Sequence, residues 1–263
     1  MGIDPSSAGE DLSAAALSEA LAGRPLRAYT ALLSTEADAL AWARAGAPEG
    51  ALVVANYQAS PRGRAGRPWQ IPEGQGLGFS LVLRPDLPVE REGWLYAAVV
   101  SGLADVAGPD ARIHWPDEVH HGDERAHAVG VQVELGPQSI LWAVVTVLAV
   151  HATPPRAPLL AELVDAIEQR YRSPAEDVLA DYLPRCATIG RDVQARLIPL
   201  GPAGPQVTGE AVDVLDDGAL VVKTSRGSRV AVRPQNLGLL EDASTEEYPP
   251  GLFLDTSEDE DAS

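Results

Sequence analysis

The run ILWAVVTVLAV, residues 140–150, constrains the fold more than any other stretch. It is the longest apolar run in the chain. It is too short to span a bilayer and suits a strand buried inside a sheet. The rest of the fold must supply that sheet and cover it. Three strand patterns precede the run in GALVVANYQ, GLGFSLVLRP and AHAVGVQVELG. Helical spacing appears in EDLSAAALSEALAG, in the stretch from Ser34 or Thr35 to about Arg44, in EGWLYAAVVSGLADVAG, in APLLAELVDAIEQRY and in PAEDVLADYLPRC. ARIHWP reads as a further strand, joined to AHAVGVQVELG by the polar turn DEVHHGDER. Strands and helices intermix without a strict βαβ rhythm. The expected class is therefore α+β, a mixed sheet with flanking helices.

The composition shifts after about residue 190. RDVQARLI, VTGEAVDVLDD, GALVVKTSR and GSRVAVRP are short alternating segments between Gly and Asp turns. This is the pattern of a small β-barrel, and LDDGALVV reads as a tight hairpin. The expected organisation is an N-terminal extension with a short helix over 1–25, a core over 26–189, a barrel over 190–241, and an acidic, disordered tail over 242–263.

The net charge of −18 argues against nucleic-acid and anionic-membrane partners. The single cysteine, Cys186, excludes an intramolecular disulfide and fits a cytoplasmic protein, and no secretory signal opens the chain. Lys223 is the one lysine, so no lysine amine can serve chemistry within residues 1–222. His114, His120, His121, His127 and His151 crowd one stretch.

Three stretches, taken in order, resemble the biotin protein ligases. VVANYQASPRGRAGRPWQIPEGQGLGFSLVLRP resembles that family's arginine- and glycine-rich loop between two strands. IHWPDEV followed by AHAVGVQVEL resembles its hairpin, and YLPRCATIGRDVQ followed by GEAVDVLDDGALVV resembles the junction into its C-terminal SH3-like barrel. The order of several motifs, over roughly residues 26–241, is more specific than any one of them. The resemblance implies a class II synthetase-like core. It also implies a two-step reaction, in which biotin and Mg-ATP form biotinyl-adenylate and the adenylate then acylates a lysine of a carrier domain. No winged helix is expected before residue 26.

Residue by residue, the resemblance implies biotin contacts at Ser34, Thr35, Gln58, Arg62, Gly63 and Arg64. Ser34 or Thr35 also reads as a plain helix cap. Arg62, Arg64, Gly66, Arg67 and Trp69 would form the adenylate loop, the arginines neutralising anionic groups with forked donors. Trp69 reads equally as a core anchor. His114, Trp115, Pro116 and Asp117 stand in the hairpin motif.

Several positions depart from the family pattern. Pro61 replaces a loop glycine, removing an N–H donor and stiffening the loop. His114, Asp117 and Glu118 stand where the family has lysine, asparagine and aspartate. His127 falls at the principal catalytic lysine, so the catalytic candidates are Arg64 and His127. A composition that avoids lysine predicts arginine in its place, not histidine. Ala149 and His151 replace the expected glycine and asparagine, and the segment expected to cover the adenine is missing.

The expected function is therefore a ligase-like homologue that binds biotin, a related small acid, a carrier domain or a true ligase without adenylating, and that could be a homodimer. The alternative is an active ligase using biotin and Mg-ATP. A further alternative is a metal held by His114 and His127. No cofactor is otherwise implied.

Overall fold

A computed structural model describes residues 10–21, 23–69, 76–201 and 203–243. The IPEG turn at 71–74 and the acidic tail beyond Ala243 lie outside them.

The chain opens with a 3-10 turn, Glu10–Leu12, and helix α1, Ala14–Ala20. Then come strand β1 (Leu26–Leu32), helix α2 (Thr35–Arg44), β2 (Leu52–Gln58) and β3 (Leu77–Leu83). Helix α3 (Trp94–Ala107) leads to β4 (Arg112–His114), β5 (Glu118–His121), β6 (Glu124–Leu135) and β7 (Ile140–Ala149). Helices α4 (Arg156–Arg172) and α5 (Ala175–Arg185) follow. The sheet order is β1-β2-β3-β7-β6-β5-β4. β1 runs parallel to β2 and every other pair is antiparallel. The apolar run at 140–150 is thus β7, at the centre of the sheet.

Alternation along β7 divides the sheet into two faces. Val145, Val147 and Ala149 join the large core with α3 and α4, whereas Val144 and Trp142 pack with Ala39 and Ala43 of α2. Two strands of this sheet escaped the sequence patterns. β1 is an edge strand whose residues are only half covered, so its alternation is faint. β5 lies inside the polar stretch expected to be a plain turn, with Val119 as its one fully buried residue.

The C-terminal sheet comprises β8 (Asp192–Leu197), β9 (Gln206–Val214), β10 (Leu220–Lys223), β11 (Arg229–Val232) and β12 (Leu237–Asp242). Its order is β11-β10-β9-β8-β12, so among the described residues β11 and β12 are unpaired edges. The expected small β-domain is this five-stranded antiparallel sheet, and among the described residues no ladder joins β11 to β12. A 3-10 turn, Pro234–Asn236, leads from β11 straight into β12, which pairs with β8 at the opposite edge. The LDDGALVV hairpin forms as expected, with Gly218 at φ +82°.

The N-terminal segment joins the core rather than extending from it. Leu12, Leu17 and Leu21 are buried with α4. Arg156, at the start of α4, is 1% exposed and donates to both carboxylate oxygens of Asp11, at 2.8 and 2.9 Å, and to Asn56 Oδ1 at 2.6 Å.

Helices α3 and α4 cross closely at Gly102, where an added Cβ would lie 2.7 Å from the Ala166 carbonyl oxygen. That neighbour is backbone and cannot step aside. Gly102→Ala is expected to cost about 1–3 kcal/mol of stability, measured by urea unfolding of both proteins.

Candidate active site

Three elements meet over the α2 face of the sheet. The first is a row of small side chains. Ser80 of β3 pairs with Thr146 of β7, which pairs with Gly130 of β6. Directly paired residues share a face. The second is the N-terminus of α2, where Ser34 has the extended backbone of a cap and accepts weakly from Ala37 N at 3.5 Å. Thr35 is fully buried beside it. Its backbone N–H and its hydroxyl both donate to Gln58 Oε1, at 2.8 and 3.1 Å. The third is the loop after β2. It closes on itself through Gly63 N to Arg67 O at 2.8 Å and Trp69 N to Pro61 O at 2.9 Å.

The loop lies directly on the sheet. An added Cβ on Gly130 would meet the Gly63 carbonyl carbon at 3.1 Å and Arg64 N at 3.2 Å. Trp69 covers the loop from the other side, its ring so near Gly63 that a Cβ there would sit 2.2 Å from Cε2. Trp69 therefore anchors the loop backbone, and Gly63 is a close-approach position. Arg62 is exposed and donates to Gly66 O at 3.0 Å, and Arg67 is exposed.

Arg64 differs from its two neighbours. Its side chain is 4% exposed. Nη1 donates to the Leu237 carbonyl of β12, and Nε lies 3.0 Å from Asp117 Oδ2. That N–H is not aligned with the carboxylate, so the contact is an ion pair rather than a linear hydrogen bond. Burial pushes the Asp117 carboxyl above its ordinary value, and the Arg64 guanidinium opposes the rise. Trp115 closes the same seam, its indole N–H donating to Gly218 O at 2.9 Å and its backbone N–H to Thr188 Oγ1 at 2.9 Å. A polar cavity of about 300 Å³ opens beside it, lined among others by Arg64, Arg67, His114, Asp117 and Arg191.

Glu118 and His114 lie on one face of the hairpin, paired across β4 and β5. Burial favours the neutral Glu118 acid. Hydrogen bonds from His120 and Arg125 outweigh it and hold the carboxyl at about 2. His114 stacks on His120 with ring centroids 4.0 Å apart.

His127 falls elsewhere. It pairs with Ala149 and alternates with Val129 and Val131, all of which pack into the α3–α4 core. It is therefore on the opposite face from Gly130, from the loop and from Arg64. The expected convergence of His114 and His127 fails for the same reason. Val119 pairs with both Ile113 and His127, which leaves His114 on the other face. Among the described residues, no group of three or more His, Cys, Asp or Glu could hold a metal. Lys223 lies on β10, outside this site. Cys186 is buried, and its burial pushes the thiol up, which suits no nucleophile. Sequence reasoning missed Ser80 and Thr146, because single hydroxyls inside strand patterns carry no motif.

No family model matches the chain. The chain is 30% identical over 225 residues to the biotin–[acetyl-CoA-carboxylase] ligase of Mycobacterium tuberculosis, covering 76% of this chain and 82% of that protein. The chain belongs to the biotin protein ligase family. It is also 29% identical over 239 residues to the bifunctional ligase/repressor BirA of Bacillus subtilis, covering 78% of this chain and 71% of that one. The biotin protein ligase of Aquifex aeolicus, solved with biotin and ATP, shares the fold at a TM-score of 0.63 and 19% identity, over 83% of this chain and 99% of that one. Within the described residues, this family member carries a five-stranded antiparallel sheet after its core, and no helix is long and apolar enough to cross a membrane.

His127 yields a pH signature. Burial, and then the nearby His121, lower its imidazole to about 4. Its folded value lies below the unfolded value of about 6.5, so between these values only the unfolded chain takes up the proton. The stability is present above pH ~6.5 and is lost as pH falls towards ~4, by up to about 3 kcal/mol. Denaturant unfolding from pH 7 to 4 should show this loss, and His127→Phe should flatten it. An unchanged slope would place the proton uptake elsewhere, for instance at His114, which is also lowered by its burial.

Proposed function

We propose that this chain binds biotin, or a related small acid, with its head at Thr35 and Gln58 and its carboxylate towards the arginine loop. One observation carries this reading. A buried amide and hydroxyl pair stands at one end of the Ser80–Thr146–Gly130 row, and a loop with three arginines closes the other end. A small acid has a polar head and an anionic tail, and this site offers a partner for each. In this structure the loop backbone rests on Gly130, so ligand entry requires the loop to lift.

Relatives near 30% identity that are named as ligases support biotin–protein ligation as the activity. In that reaction the biotin carboxylate attacks the α-phosphorus of Mg-ATP. Pyrophosphate leaves, and a carrier lysine then takes the acyl group from biotinyl-adenylate with loss of AMP. In this chain Arg62 and Arg67 are the exposed loop charges that would meet the anions, and no lysine stands among the site residues.

A second reading, binding without adenylation, is favoured by the Arg64–Asp117 pair. The buried loop arginine is already neutralised by a carboxylate and tied to Leu237. A guanidinium so engaged stabilises developing phosphate charge less than a free one.

Biotin-dependent release of pyrophosphate separates the readings. The ligase reading expects release with catalytic amounts of protein, and biotinylation of a carrier domain to follow. It fails if stoichiometric protein releases none while calorimetry shows biotin bound. Asp117→Asn leaves Arg64 unneutralised and should raise the release rate by about tenfold. An unchanged rate would mean that Arg64 does not limit the step.

A further inference from the structure

Ser80 and Thr146 belong to no motif, yet both are buried, at 0% and 3% exposure, on the α2 face of the sheet. Their neighbours along the same strands and face are Val82 and Val144. An apolar residue would satisfy the packing at either position. A hydroxyl buried there must be hydrogen-bonded to be tolerated.

The directions of these hydrogen bonds are determined. A backbone N–H can only donate, so the Gln58 atom 2.8 Å from Thr35 N is its carbonyl oxygen. The Thr35 hydroxyl gives its one proton to the same oxygen at 3.1 Å. It must then accept from Ser80 Oγ, 2.9 Å away. That uses the Ser80 proton, so across the 2.8 Å contact Ser80 accepts from Thr146 Oγ1. Protons run one way, from Thr146 to Ser80 to Thr35 to Gln58. The Thr35 N–H sets Oε1 towards α2, the hydroxyl chain adds the second donor that holds it there, and among the described residues Nε2 has no hydrogen-bond partner.

We infer that Ser80 and Thr146 are positioning residues that lock the Gln58 amide with its NH2 presented to the ligand, so that the site selects small acids whose head offers a hydrogen-bond acceptor. The inference rests on the small-acid reading above. A urea carbonyl satisfies it. A head group that carries only donors at that point meets the amide protons instead.

The test uses biotin and 2-iminobiotin at neutral pH. In 2-iminobiotin a protonated imino group replaces the urea oxygen and offers only donors. Calorimetry on the full chain should show wild type preferring biotin. Thr146→Val and Ser80→Ala should narrow that preference about five- to tenfold, and Thr146→Ser should keep it. A preference unchanged in both apolar variants overturns the inference. If wild type binds neither acid, the small-acid reading fails, and the lock is then read without ligand. The Gln58 side-chain amide signals in nitrogen-15-labelled protein, assigned by their loss in Gln58→Glu, should shift in Thr146→Val and hold in Thr146→Ser. Signals unmoved in Thr146→Val and Ser80→Ala overturn the lock itself.

Discussion

The guanidinium of Arg64 sits where the arginine loop, the β4–β5 hairpin and the C-terminal sheet come together. A charge removed from water needs an opposite charge and satisfied donors, or the chain will not hold it there. Asp117 supplies the charge, and the Leu237 carbonyl takes one donor. The same contact fixes how the loop meets the second sheet, because Arg64 is the loop residue that reaches β12. Trp115 and Gly218 join the two sheets a short way along the seam. A side chain that would otherwise be free to follow an anion is thus also a structural tie. In the proposed binding reading, an anion would have to compete with Asp117 and Leu237 for this one guanidinium.

The division of the sheet into two faces explains the rest of the site. On the helix side, Val145, Val147 and Ala149 meet α3 and α4 in a dry core. On the α2 side, the Ser80–Thr146–Gly130 row is small and polar, which lets α2 bring its N-terminus down to Gln58 and lets the loop lie on Gly130. Gly130 matters there for its missing side chain. A larger residue would push the loop off the strand and with it the Arg64 anchor.

Much of this was legible in the sequence where residue type and spacing coincide. A cap at Ser34 or Thr35, a helix running to about Arg44 and the central strand in 140–150 follow from local pattern alone, and the structure selects Ser34 as the cap. The resemblance to the ligases placed Gln58 and the loop arginines in one neighbourhood, and the structure brings Thr35 and Gln58 into contact. Of the features that were not legible, three depend on distant partners. β1 is half exposed at the sheet edge, so it lacks the strong alternation of a buried strand. The first backbone N–H of α4, at Arg156, donates to Asp11, 145 residues earlier in the chain. The barrel pattern covered β8 to β11 but missed β12, which pairs with the distant β8 and not with its chain neighbour β11.

His127 shows most sharply how register governs chemistry. The motif match sets it at a lysine position, which implies a side chain aimed at the anion site. The ladder decides otherwise. From His127 to Glu134 each residue of β6 pairs in step with β7, and this continuous register sends His127 to the core face. The irregularity in the β5–β6 ladder comes just before, where Val119 and His120 face His127 and Arg125. A bulge one residue further along β6 would turn position 127 towards the loop, since a single-residue slip reverses every side chain that follows it. It would also break the pairing that keeps Val129 and Val131 in the core. An imidazole buried uncharged is compatible with that face, and an ammonium there would have no partner. Histidine at 127 is therefore consistent with the strand as it is paired, and in the proposed reading the positive charge facing an anion is that of the loop arginines.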